Sequence, residues 1–329
     1  MPGMRLIAGA GRSGTTWVQD ALADANDLRP VFEPLHPWVS DIGAKYAHRA
    51  LSADEDHPDL RQFMIDVCAG QRDQLWTRYR RQRRLLFPPP GKLASRDRLA
   101  VLYRYWEKFL KELPELRAAS KRSAPLVKDI RTNLMLGWLS RQCGCRTVLI
   151  IRHPGAVLES EMRGHWNAVT VLDRFRNDRR LHELTAGRYR TLLARTLSPV
   201  EAMATRWVIE NQWPLACASA HNVSVFHYEH LKSSPEIEWP RMCRALDLTN
   251  VPSEAVRARP SQQSAMEGSA ARQSSSRQPG WMMRLTEEQI VLIQRVLDDV
   301  GFSLYAMDDP EPRMVDNSQA QNAVRGDTC

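Results

Sequence analysis

Residues Gly9-Ala-Gly-Arg12-Ser13-Gly14-Thr15-Thr16-Trp17 put three glycines, three hydroxyls and one guanidinium into nine positions. Glycines let the backbone turn tightly and present successive N–H groups. A loop of that kind at the start of a helix cradles a phosphate. Gly9 and Gly14 have the spacing of G-x-x-x-x-G-K-[ST], but Thr15 stands where that motif has its lysine. Arg12 supplies a cation earlier in the loop instead. A phosphate-like anion is the expected ligand. A P-loop kinase or NTPase is the alternative reading, disfavoured by the missing lysine.

A second cluster follows the apolar run Val148–Ile151. Arg152-His-Pro154 begins it and Ser160 closes it, eight residues after the arginine. An arginine at a strand end and a serine in the next helix can converge on one anion, because the planar guanidinium forks onto phosphate and the hydroxyl adds a donor. Two further groups fit proton and charge chemistry. Phe32-Glu33-Pro-Leu-His36-Pro37 puts a carboxylate and an imidazole just past a short strand, where either can remove a proton; Glu33 is preferred. Burial there is expected to raise its pKa toward neutrality. Lys128, ending Leu126-Val-Lys128, is a second candidate cation at a strand end.

These residues need elements to hold them. Met4–Ala8, Val31–Phe32, Leu126–Lys128, Arg146–Ile151 and Val223–Phe226 read as short buried strands, and Thr15–Ala25, Asn133–Gln142, Ala156–Met162, Glu201–Ala220, Pro235–Leu246 and Thr286–Val300 as helices. The alternation predicts an α/β chain: one P-loop-type domain over residues 1–307, with a central, mostly parallel sheet flanked by helices. Helical insertions are expected at about 38–122 and 163–200. Residues 261–281 read as a lid or linker, and the polar segment 308–329 as a disordered tail. Sites in such sheets lie at the carboxyl ends of the strands.

In that setting Arg12–Trp17 resembles the 5′-phosphosulfate loop of sulfotransferases that use 3′-phosphoadenylyl sulfate (PAPS). Arg152-x-Pro154…Ser160 is similar to that family's 3′-phosphate site. Val223–Leu231 resembles its strand ending in Tyr-Glu-x-Leu, and Ser274–Arg277 with Gly280-Trp281 resembles its lid. The resemblance spans about residues 4–305 and is closer to the bacterial and carbohydrate-type O-sulfotransferases than to the cytosolic phenol enzymes. It implies that Arg12, Ser13, Gly14, Thr15, Thr16, Trp17, Arg152, Ser160, Tyr228, Ser275, Arg277 and Gly280 bind the donor. Arg12, Lys128, Glu33 and His36 would serve catalysis, without a metal. It implies PAPS as donor, 3′-phosphoadenosine 5′-phosphate as product, and a small-molecule or carbohydrate acceptor with a free hydroxyl. Where the cytosolic enzymes carry a histidine two residues past the lysine, this chain has Ile130.

Composition narrows the rest. The 329 residues carry 46 basic and 38 acidic side chains, a formal charge of +8, which suits an anionic partner. The basic residues are not interleaved with aromatics, so no nucleic-acid partner is expected. No apolar run approaches the roughly 20 residues of a membrane span, and no secretory leader is visible, so a cytoplasmic location is expected. A homodimer is left open. The six cysteines have no zinc-type spacing, which predicts free thiols.

Overall fold

The computed structural model describes residues 3–72, 77, 124–164, 168–259 and 279–313. Five strands form one sheet: β1 (Arg5–Ala8), β2 (Arg29–Phe32), β3 (Pro125–Lys128), β4 (Arg146–Ile151) and β5 (Val223–His227). They lie in the order β2-β3-β1-β4-β5, and every neighbouring pair is parallel. The register pairs both Ile7 and Phe32 with Lys128, and Ile151 with His227, so all five strands finish on one edge of the sheet.

The near-continuous apolar strands follow from coverage on both faces. Ile7, Leu126, Val148, Ile150 and Phe226 point into one core, and Leu6, Val127, Leu149 and Ile151 into the other. Pro30 sits inside β2, an edge strand bonded only to β3, where a missing N–H is tolerated.

The α-helices are, in chain order, α1 (Thr15–Asn26), α2 (Asp41–Tyr46), α3 (Pro58–Cys68), α4 (Leu136–Cys143), α5 (Pro154–Arg163), α6 (Val169–Asn177), α7 (Arg179–Leu184), α8 (Arg190–Ala194), α9 (Pro199–Cys217), α10 (Tyr228–Ser233), α11 (Pro235–Ala245), α12 (Glu254–Arg257), α13 (Gly280–Arg284) and α14 (Glu287–Asp299). Trp17, Val18 and Leu22 of α1 and Trp239 and Met242 of α11 seal the first face; Trp138 of α4, Trp207 of α9 and Leu297 of α14 belong to the second. A capping box between Ser198 and Glu201 starts α9, and Thr286 with Gln289 starts α14 in the same way.

Two helix starts differ from the sequence reading. Asn133–Gln142 begins as a tighter 3-10 turn, Asn133–Met135, before α4. The helix expected from Ala156 begins at Pro154, because proline is preset for a helix's first position. The insertion at 163–200 contains α6, α7 and α8, and that at 38–122 contains α2 and α3; its stretch past residue 72 lies outside the described residues apart from Thr77. Residues 308–313, assigned by composition to a disordered tail, are held by an Ala306–Asp309 bridge and by Arg313 N–H donating to Leu304 O at 2.7 Å; the tail from 314 lies outside the described residues. Cys68, Cys143, Cys145 and Cys243 are free thiols, but Cys217 is disulfide-bonded, against the expectation of free thiols. Among the described residues no helix is long and apolar enough to cross a membrane.

Candidate active site

Each strand leads into a residue singled out in the sequence, by its type and spacing or, for Tyr228, by the resemblance. Gly9 follows β1, Glu33 follows β2, Lys128 closes β3, Arg152 follows β4 and Tyr228 follows β5. Neighbours β3 and β4 flank β1 on opposite sides, so the loop after β1 sits where the chain switches direction across the sheet.

That loop depends on two glycines. Gly9 has φ 149°, and a Cβ there would lie 2.4 Å from Ile150 O, so β1 can turn this close to β4 only without a side chain. Gly14 has φ 86° and caps α1; a Cβ there would lie 2.5 Å from the Tyr228 ring. No side chain caps α1, leaving the N–H groups of its first turn available to an anion. Ser13 Oγ is buried without a hydrogen-bond partner among the described residues. A hydroxyl in that state calls for a ligand or water. Thr15 and Thr16 are buried in the first turn of α1.

The second cluster meets the first. Arg12 Nε donates to Ser160 Oγ at 2.8 Å, and Arg152 Nη1 donates to Arg12 O at 3.0 Å. The Arg152 guanidinium also lies 4.2 Å over the Tyr228 ring. Trp17 packs edge-on to Tyr228 and donates Nε1–H to Arg257 O, so it enters the site as the buried support of Tyr228. Glu229 accepts from His153 N–H and from the Tyr305 hydroxyl, both at 2.9 Å, which fixes the β5 end structurally. Gly280 opens α13. Its neighbour Trp281 stacks on His153 at 4.2 Å, and Arg284 donates to Glu159 at 2.6 Å, docking α13 on the helix that carries Ser160. Ser275 and Arg277 lie outside the described residues.

At the β2 and β3 ends, Glu33 Oε1 accepts from Lys128 Nζ at 2.5 Å and Oε2 from Arg131 Nη1 at 2.6 Å, all three side chains largely buried. The expected pKa direction is reversed here. Burial pushes Glu33 up, but the charges and hydrogen bonds of Lys128 and Arg131 outweigh it and hold the carboxyl at about 2. Burial pushes the Lys128 ammonium down, against the pull of Glu33. Glu33 also has φ 45°, a left-handed conformation rare outside glycine. Asp129 fixes the next turn by accepting from Leu35 N–H (2.8 Å) and Arg131 N–H (2.9 Å); burial pushes it up to about 6. His36 Nδ1 accepts Trp38 N–H at 3.2 Å, so that nitrogen carries the lone pair and the imidazole helps to close a turn.

Behind these residues lies a buried polar row the sequence reading did not find. Arg206 Nη2 lies 2.5 Å from both oxygens of Glu161, and Glu210 Oε1 lies 3.0 Å from His48 Nδ1. Asn133 ties the row to the loop: its Oδ1 accepts Gly9 N–H at 3.1 Å, and its Nδ2 donates to Glu210 O at 2.9 Å. The available signal was Arg206 and Glu210, four apart and separated by the apolar Trp207-Val208-Ile209. Charged side chains at that depth need partners. Arg131 and His48 carried no such signal, because only the fold brings them to Glu33 and Glu210.

No protein-family model matches the chain, and no curated protein matches it. Solved structures that resemble it include two sulfotransferase domains. The sulfotransferase domain from the curacin biosynthetic pathway has a TM-score of 0.40 and 15% identity, covering 93% of this chain and 99% of that one. The sulfotransferase domain from the Synechococcus PCC 7002 olefin synthase has a TM-score of 0.42 and 15% identity, covering 89% and 94%. At that identity and overlap neither adds to what the site geometry supports.

Proposed function

We propose that this chain is a sulfotransferase that moves a sulfuryl group from PAPS to a hydroxyl of a small-molecule or carbohydrate acceptor. The observation that carries the reading is the contact of the two anion motifs. Arg12, Ser160 and Arg152, which sequence resemblance assigns to the 5′- and 3′-phosphate sites, touch one another across up to 148 residues of chain. The orphaned Ser13 hydroxyl and the uncapped start of α1 suit the same ligand.

In this reading Arg12, Ser13, Thr15, Thr16 and the loop N–H groups hold the 5′ end of the donor. Arg152 and Ser160 hold the 3′-phosphate, and Tyr228 borders the base. The bound donor supplies an electrophilic sulfur and a phosphate leaving group. In the same reading Lys128, the buried cation that closes β3 beside β1, meets the charge that develops there and lowers the barrier. Glu33, with a cation on each oxygen and its pKa held at about 2, serves to aim Lys128 and Arg131. A proton acceptor works best with a pKa near the operating pH, which Glu33 lacks in this pairing.

Calorimetric titration with 3′-phosphoadenosine 5′-phosphate, ATP-Mg²⁺ and AMP tests the reading. Tight binding of the bisphosphate alone is the expected result. Preference for ATP-Mg²⁺ would return the chain to the kinase or NTPase reading, and absence of any binding would remove both. Arg152→Ala is expected to weaken the bisphosphate by about 10- to 100-fold, as loss of a charged hydrogen bond does.

A further inference from the structure

We infer that His48, oriented by Glu210, accepts the proton from the acceptor hydroxyl. This rests on the sulfuryl-transfer reading and adds two residues to it.

His48 Nδ1 faces the Glu210 carboxylate at 3.0 Å. A lone pair on Nδ1 would face that negative charge, so the contact favours the tautomer with the hydrogen on Nδ1 and the lone pair on Nε2. His36 has the opposite arrangement, with its lone pair tied to Trp38 N–H. The His48 side chain is 13% exposed and Glu210 only 1%, so the imidazole is reachable while its partner is sealed. Both Glu210 oxygens are buried with no aligned hydrogen bond among the described residues, so the carboxylate meets His48 as a close ionic contact. A buried carboxylate beside an imidazole stabilises that ring when it gains a proton, here with Arg206 also drawing on the same carboxylate. His48 also has φ 58°, and its N–H donates to Arg131 O at 2.9 Å, anchoring it to the residue that grips Glu33. Strain of this kind in a non-glycine residue collects at functional sites.

The charged groups around the ring can be named. Glu210 and Arg206 approach from α9, and Arg131 from the turn after β3. On α6, Phe175 packs edge-on to the ring, and Arg174 donates to Ala47 O and Ala44 O; Asp178 accepts Ala50 N–H. Burial lowers the His48 pKa below 6.5. Glu210 opposes that, and Arg131 and Arg206 add to it, leaving the ring neutral at pH 7. The acceptor O–H proton moves to His48 Nε2, and the oxygen lone pair forms the new S–O bond. The old S–O bond breaks, and its electron pair leaves on the phosphate. The imidazolium then returns its proton to water.

Three measurements on the full-length protein test this. Nitrogen-15 spectra of labelled histidines, with His48→Asn for assignment, report the tautomer without donor or acceptor. Bisphosphate titration of wild type and His48→Asn tests the donor site; asparagine tolerates the left-handed backbone at 48. PAPS consumption is then followed against pH with a panel of primary alcohols and hexoses. The expected result is an Nδ1–H tautomer, unchanged bisphosphate affinity and turnover reduced ~10²-fold or more in His48→Asn. Wild-type turnover should rise through a single pKa below 6.5. Glu210→Gln should shift that limb further to acid, since it removes the influence that raises the pKa, and lower the plateau. An Nε2–H tautomer, or His48→Asn turnover within threefold of wild type, overturns the inference and leaves the sulfotransferase reading standing. Failure of wild type to bind the bisphosphate overturns both.

Discussion

Glu33 shows how little a residue type says until its neighbours are known. A glutamate past a strand end reads as a base, and burial alone would make it one. Lys128 and Arg131 invert the result, and Arg131 was unremarkable in the sequence because nothing in its spacing tied it to Glu33. Glu33→Gln is expected to cut turnover by ~10²-fold, because two buried cations lose the group that aims them, and to cost about 3–5 kcal/mol of stability. Thermal unfolding measured beside steady-state kinetics separates the two effects. The acid limb of the rate profile should survive in the variant, since it belongs to His48. Its disappearance would restore Glu33 as the base.

At the scale of elements, the strands and the phosphate loop were readable because their physics is local. Alternation of short apolar runs with helical periodicity announced the parallel sheet, and glycine spacing announced the turn after β1. The partners across the sheet were not readable, since Arg12–Ser160 and His48–Glu210 join segments more than 140 residues apart. The loop's geometry makes a sharp prediction. Gly14→Ala must hold φ 86° and push a methyl group into Tyr228. Bisphosphate affinity is expected to fall at least 10-fold, as a cost of 1–3 kcal/mol for a strained residue implies. Measured against Tyr228→Ala alone, which itself loses a contact to the bisphosphate, Gly14→Ala should cost less than it does in wild type, because the collision is gone but the backbone strain is not. No cost at all in that background would show that sterics alone constrain this turn.

For the whole molecule, the buried ion pairs link stability to pH. Glu33 has a folded pKa near 2 against an ordinary 4.5. A depressed carboxylate contributes stability that is present above its unfolded pKa and lost as pH falls through the folded one. On the order of 3 kcal/mol should therefore vanish between about pH 4.5 and pH 2. Urea unfolding across that window checks it, and Glu33→Gln should flatten this part of the curve. The Arg206 pair with Glu161 lies deeper still. Arg206→Met is expected to cost about 3–5 kcal/mol by stranding a buried carboxylate, and Glu161→Leu in the same chain should recover most of it. Equal stability of the single and double variants would mean that Glu161 protonates readily inside the fold.

The clasp between Arg12 and the pair Arg152 and Ser160 forms within the protein itself. These contacts tie the loops after β1 and β4 to each other through the protein's own groups. Binding that had to order them would show a large entropic penalty and slow association. Here the bisphosphate should enter a preformed cradle, with little loop-ordering entropy in the calorimetric balance. Its association rate should change with salt far more than with viscogens that hinder loop motion, because long-range attraction to a basic surface governs the encounter.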